Sequence, residues 1–125
     1  MSQIDNTPPG TSDNAADVDM PWAPRDYEWE GSAAETRALA WAGGDPHRLA
    51  CVFLYEDKFP VTDIVDGEPR RVFRAVVDAA GMVDRVGGVD ISEEGRERVR
   101  ARITGLYHAA GRAFGDLGIR APWEG

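Results

Sequence analysis

Cysteine occurs once in this 125-residue chain, lysine once and histidine twice. The single thiol, Cys51, excludes an intrachain disulfide and fits a reducing compartment. His47 and Cys51 stand four residues apart, and with His108 they form the only candidate metal set. No second dense pair of ligands accompanies them, so no metal site is expected. As a nucleophile and base the same pair is poorly placed, because Cys51 lies in Leu-Ala-Cys-Val-Phe-Leu, the setting of a buried structural thiol. There is no P-loop lysine and no Gly-x-Gly-x-x-Gly, so no cofactor is expected; Gly87-Gly88 ahead of a helix is a flexible loop first and an anion cradle second. The longest apolar run, Leu49 to Tyr55, is far too short to span a membrane. The start of the chain lacks the basic and apolar regions of a secretory leader.

Acid is abundant, and it is unevenly placed. The formal net charge is −8, and residues 1–31 supply −6 of it through Asp5, Asp13, Asp17, Asp19, Asp26, Glu28 and Glu30 against Arg25. This bias is the opposite of a strong nucleic-acid binder's and favours a basic protein surface as electrostatic partner. The chain therefore divides into an extended acidic arm, 1–31, and a helical domain, 32–125. Early in the arm, small and acidic residues alternate without apolar periodicity, a pattern that buries too little surface to offset its ordering entropy. Met20-Pro21-Trp22-Ala23-Pro24 breaks the pattern with an aromatic held between two prolines, and Tyr27 and Trp29 follow at a strand-like spacing. These rings either fold back onto their own domain or pack on a neighbouring subunit.

Helical signals fill the rest. Ser32-Ala33-Ala34-Glu35 reads as a capping box and places a first helix at 33–42, ended by Gly43-Gly44. Asp45-Pro46 opens a second helix at 46–56, with a buried strand at 49–55 as the alternative for the same apolar run. Val61, Thr62, Ile64 and Val65, followed by Asp66-Gly67, suit a short extended piece and a turn. Pro69 then opens a third helix whose core stripe is Val72, Phe73, Val76, Val77 and Ala80 and whose end is Gly81. Ser92 caps the last helix, which carries Val99, Ile103, Leu106, Tyr107, Ala110, Phe114 and Leu117 at spacings of three and four. Gly105, Gly111 and Gly115 inside it each cost about 1 kcal/mol relative to Ala, so they are expected to permit a close approach. For Gly111 and Gly115 that approach is either packing within the domain or a subunit contact. The fold expected is mainly α, a compact bundle of about four helices with the acidic arm, leaving room for one short β-hairpin.

The carboxylates Glu56-Asp57 and Asp63-Asp66 lack a neighbouring His, Ser or Gly-rich signature, and solvated loop acids are the simpler reading. No catalytic residue is assigned. The function expected is non-catalytic: an accessory or adaptor subunit of a larger soluble assembly, either a cytoplasmic multi-subunit enzyme or a viral particle. It would dock on other protein subunits through Trp22, Tyr27, Trp29, Gly111, Gly115 and Trp123, whose rings or small surfaces suit interfaces. One alternative is a small helical DNA-binding regulator using Arg70, Arg71, Arg74, Arg96, Arg98, Arg100 and Arg102, although the ten-residue loop between the two helices is too long for a helix-turn-helix. The other is an acidic inhibitor that mimics nucleic acid through the arm.

Overall fold

A computed structural model of the chain describes residues 20–85 and 90–124. Helix α1 (Gly31–Ala42) buries Ala34, Ala38 and Ala42, small residues at four-residue spacing. They let the helix lie against strand β3, described below. The helix starts earlier than the capping box at Ser32 suggests. Glu30 is its N-cap, and the Glu30 carbonyl accepts from the Ala33 and Ala34 amides. Helix α2 (Pro46–Val52) begins as expected, with the Asp45 carboxylate accepting from the His47 amide at 2.8 Å.

The apolar run 49–55 is shared between two elements. α2 ends at Val52, and β1 (Phe53–Tyr55) turns back into β2 (Lys58–Pro60). Carbonyls at the end of α2 and just beyond it are claimed from inside the domain. The Arg71 guanidinium donates to the Cys51 carbonyl, and that of Arg102 donates to the carbonyls of Phe53 at 3.1 Å, Leu54 at 3.0 Å and Ala50 at 3.3 Å. Two cations at the negative end of a short helix also complement its dipole.

β3 (Thr62–Val65) and β4 (Glu68–Arg71) form a second antiparallel hairpin, paired Thr62 to Arg71 and Val65 to Glu68. Its two-residue turn has positive φ at Asp66 (54°) and Gly67 (82°). Both signs are those of the primed turn that matches strand twist, and glycine adopts the second at no steric cost. Between β2 and β3 only Val61 intervenes; its amide donates to the Val52 carbonyl, and its own carbonyl accepts from the Val72 amide. The two hairpins are thus strung along one bent strand. Within it Phe59 holds φ at +62° and buries its ring in the core. A left-handed non-glycine residue costs roughly 1–2 kcal/mol, which the buried ring must offset.

The expected compact helix bundle is therefore corrected. Four helices are present among the described residues, but two antiparallel hairpins lie with them, and the architecture is not a pure bundle. Pro69 belongs to β4 and does not open a helix. It stands opposite Ile64, a position whose backbone N–H points away from the partner strand, so the missing donor is not needed. Helix α3 (Phe73–Val83) starts four residues later, and Gly81 lies within it rather than ending it. α3 packs along α4 (Glu93–Phe114). The Ser92 hydroxyl accepts from the Gly95 amide at 3.0 Å, as its sequence position suggested. The main core gathers Val61, Val72, Val76, Val99, Ile103 and Leu106, each fully buried.

α4 ends in an αL turn at Gly115, whose φ is 69°. The Gly111 carbonyl accepts from both the Gly115 and the Asp116 amides. Gly115 is thus a terminator rather than an interior residue. Gly111 is the position where the turn doubles back, and a Cβ there would lie 2.9 Å from the Asp116 carbonyl oxygen. Gly105 is different, because a Cβ there meets nothing within 4 Å. The close approach expected of all three glycines is found only at Gly111.

Candidate functional site

Residues 20–30 form a strap across the corner where β4 meets the end of α4. The Arg71 amide donates to the Pro21 carbonyl at 2.9 Å, and the Ala23 amide donates to the Arg71 carbonyl at 2.8 Å. Trp22 thereby pairs in parallel with Arg71 at the edge of the hairpin. The prolines on either side keep this short piece extended.

The strap's side chains seat one after another. The Trp22 ring meets Phe114 edge-on at 5.8 Å and Phe73 at 6.4 Å, while Phe73 meets Tyr107 at 5.5 Å. Arg25 caps this group: its guanidinium lies 5.8 Å over Phe73 and pairs with Asp116 at 3.1 Å. Ala23 is fully buried, and Trp29 packs against the core. The Tyr27 hydroxyl donates to Asp63 at 2.7 Å.

Asp63 is the electrostatic pivot of the strap. It is fully buried on β3 and receives Nε and a terminal nitrogen of Arg37, both at 2.9 Å, and the Ile64 amide at 2.7 Å. Burial pushes the Asp63 carboxyl up, but the hydrogen bonds from Arg37, Tyr27 and the Ile64 amide outweigh it and hold the group below the usual carboxylate range. The same bond to Asp63 raises the Tyr27 hydroxyl above its ordinary value.

An open groove of about 610 Å³ runs beside the strap, lined by Trp22, Pro24, Val65, Asp66, Arg70 and Phe114 among others. Its lining mixes aromatic and aliphatic side chains with one acid, Asp66, and one base, Arg70. Arg70 is engaged by Glu68 at 3.2 Å. The exposed Ala113 completes the wall on the α4 side. Protein-binding surfaces commonly combine aromatic and arginine side chains in this way.

The second Pro-Trp element, Pro122-Trp123, clasps α4 from its other flank. The Trp123 indole N–H donates to the Thr104 hydroxyl at 2.9 Å, and Arg100 lies 5.2 Å over the ring. His108 meets Glu124 at 2.9 Å, and the Ala121 amide also binds the Glu124 carboxylate. Of the residues singled out in the sequence, Trp22, Tyr27, Trp29 and Trp123 thus rest half-buried on their own domain. Gly111 is buried, and Gly115 is exposed at the helix end.

The arginines scatter. Arg71 and Arg102 are interior, and their contacts hold carbonyls of the chain itself. Arg74 pairs with Asp78 at 3.3 Å and Arg100 with Asp84 at 2.6 Å, while Arg98 is exposed and Arg96 half-buried. Gly87-Gly88 and residues 1–19 lie outside the described residues. His47 is exposed and Cys51 half-buried, and among the described residues no group of three or more His, Cys, Asp or Glu is placed to hold a metal. No helix among them is long and apolar enough to cross a membrane.

Sequence reasoning did not single out Asp63, Arg37, Val65 and Asp66 as parts of one corner. For Arg102 a signal was present: it falls between Val99 and Leu106 on the apolar stripe, where a solvated arginine has no place. Compared with family models, curated proteins and solved structures, the chain matches none of them.

Proposed function

We propose that the chain is a non-catalytic accessory or adaptor subunit of a larger assembly, in the cytoplasm or in a virion. It docks on other protein through the corner formed by the strap, the β3–β4 turn and the end of α4. The observation that carries this reading is the groove itself: Trp22, Pro24, Val65 and Phe114 line it together with the charged Asp66 and Arg70. The half-buried Trp22 is held rigid by the Phe73 and Phe114 rings. A pre-fixed aromatic loses little entropy on binding, which is what makes such residues effective anchors. The DNA-binding alternative is weakened by the interior placement of Arg71 and Arg102.

The test is the native mass of the protein drawn gently from its own source, with the accompanying chains identified. A defined complex with other subunits is expected, and Ala113→Arg, an exposed change at the groove wall, should release them. A lone 13.6 kDa chain with no companion would refute the reading.

A further inference from the structure

We propose that Arg71 and Arg102 together form an interior carboxylate site, and that its occupant is Asp19 of the same chain, the residue just before the described segment. Arg71 is fully buried and Arg102 is 9% exposed. They come from β4 and α4, yet both reach one short stretch of backbone: Arg71 donates to the Cys51 carbonyl, and Arg102 donates to the carbonyls of Phe53 and Leu54. Two cations brought to one buried stretch repel each other, and a charge taken out of water is costly unless an opposite charge shares its site. The dipole of α2 offers only about half an elementary charge against the two. A carboxylate suits the place, because its two oxygens can accept from both guanidinium forks at once.

The path of the strap points to Asp19. The Arg71 amide donates to the Pro21 carbonyl at 2.9 Å, and the Met20 sulfur lies 3.9 Å from the Thr62 hydroxyl, which receives Arg71 Nη1 at 2.8 Å. Residues 20 and 21 thus touch both the backbone of Arg71 and the hydroxyl that its guanidinium binds. The next residue upstream is an aspartate, and consecutive Cα atoms are about 3.8 Å apart. Asp63, although adjacent to Thr62, faces the other side of the hairpin, as strand alternation requires, and serves Arg37 and Tyr27. With Asp19 in place the strap is fastened at both ends by carboxylate and arginine: Asp63 with Arg37 beside Tyr27, and Asp19 with Arg71 and Arg102 beside Met20. The inference goes beyond the docking reading and does not depend on it, but the strap supplies Trp22 and Pro24 to the groove, so the same contact holds the groove's wall.

The experiment is amide hydrogen exchange, with arginine side-chain NMR, on the purified full chain. Asp19→Asn keeps the shape of the side chain and removes its charge. It is expected to speed exchange at the Ala23 and Arg71 amides, which make the strap's two backbone bonds, by about thirtyfold or more. The Nε–H resonances of Arg71 and Arg102 should shift in the same variant. Asp13→Asn, the same chemical change farther along the arm, should do neither. Asp19→Glu, which keeps the charge, should recover most of the protection, including where Asp19→Asn lowers the stability of the whole domain. An Asp19→Asn chain that matches Asp13→Asn in both measurements overturns the proposal, and so does an effect carried by Asp17→Asn in place of Asp19→Asn. Neither result touches the groove's partner, which the native mass of the complex reads separately.

Discussion

Replacing Asp63 with alanine removes the one carboxylate to which the strap, α1 and β3 are all tied. Three side-chain hydrogen bonds are lost, from Tyr27 and twice from Arg37, together with the bond to the Ile64 amide. Bonds to a charged group contribute about 1.5–3 kcal/mol each, but the buried carboxylate has itself cost several kcal/mol of desolvation. Breaking a wholly buried pair costs about 3–5 kcal/mol, because a charge is stranded. Here the side chain left behind, Arg37, is 44% exposed, so water takes up its guanidinium. A loss of about 2–3 kcal/mol is therefore expected, or roughly 10–20 °C in midpoint for a domain near 100 residues. Thermal unfolding followed by far-ultraviolet circular dichroism and by tryptophan fluorescence measures it. The pH dependence supplies a second check. A carboxyl held below its ordinary range stabilises the fold above about pH 4 and ceases to do so as pH falls through its folded value. The gap between wild type and variant should therefore close on acidification. A loss under about 0.5 kcal/mol at neutral pH would mean that the cluster only breaks even against its desolvation, and a gap that widens in acid would refute the argument.

Other outcomes follow from the same geometry. Gly105→Ala, at an exposed helical site with open space, should raise stability by about 1 kcal/mol in urea titrations, whereas Gly111→Ala should lower it, because its Cβ would press on the Asp116 carbonyl. Arg102→Met strands the carbonyls of Phe53 and Leu54 inside the domain, and a loss of about 2–4 kcal/mol is expected from chemical unfolding. The Tyr27 hydroxyl, raised by its bond to Asp63, stabilises the strap below about pH 10 and loses that effect as pH climbs past the raised value. Tyr27→Phe should abolish this alkaline step in a fluorescence titration of the strap tryptophans.

The last helix was legible because its core residues recur at one face and Ser92 caps its start; its end was not, because Gly115 falls within the continuing apolar repeat and reads as an interior glycine. The Asp45-Pro46 start and the Asp66-Gly67 turn were legible for equally local reasons. The boundary at Val52 was not. Its cause is two arginines distant in sequence that claim carbonyls of the run, and nothing within 46–56 reports them. Pro69 misled because a proline that suits a first helical turn suits an outward-facing strand position equally well. For the candidate site, the aromatic residues were visible in the sequence as a group. Their sockets were not, since Phe73, Phe114 and Asp63 come from three separate elements.

The strap also sets the order in which this molecule can be completed. Arg25 meets its partner Asp116 across 91 residues of sequence, and Trp22 rests on Phe114 and bonds beside Arg71. During synthesis the segment bearing Trp22 emerges ahead of every surface that receives it. β4 must be made before the strap has an edge to join, and nearly all of α4 before the indole has a floor. Local hairpins and helix turns form in microseconds, but contacts of such sequence separation must await loop closure over most of the chain. While the protein is on the ribosome, the Trp22 indole waits for Phe114 to be made, and in that interval it is open to capture by a chaperone or by another nascent copy.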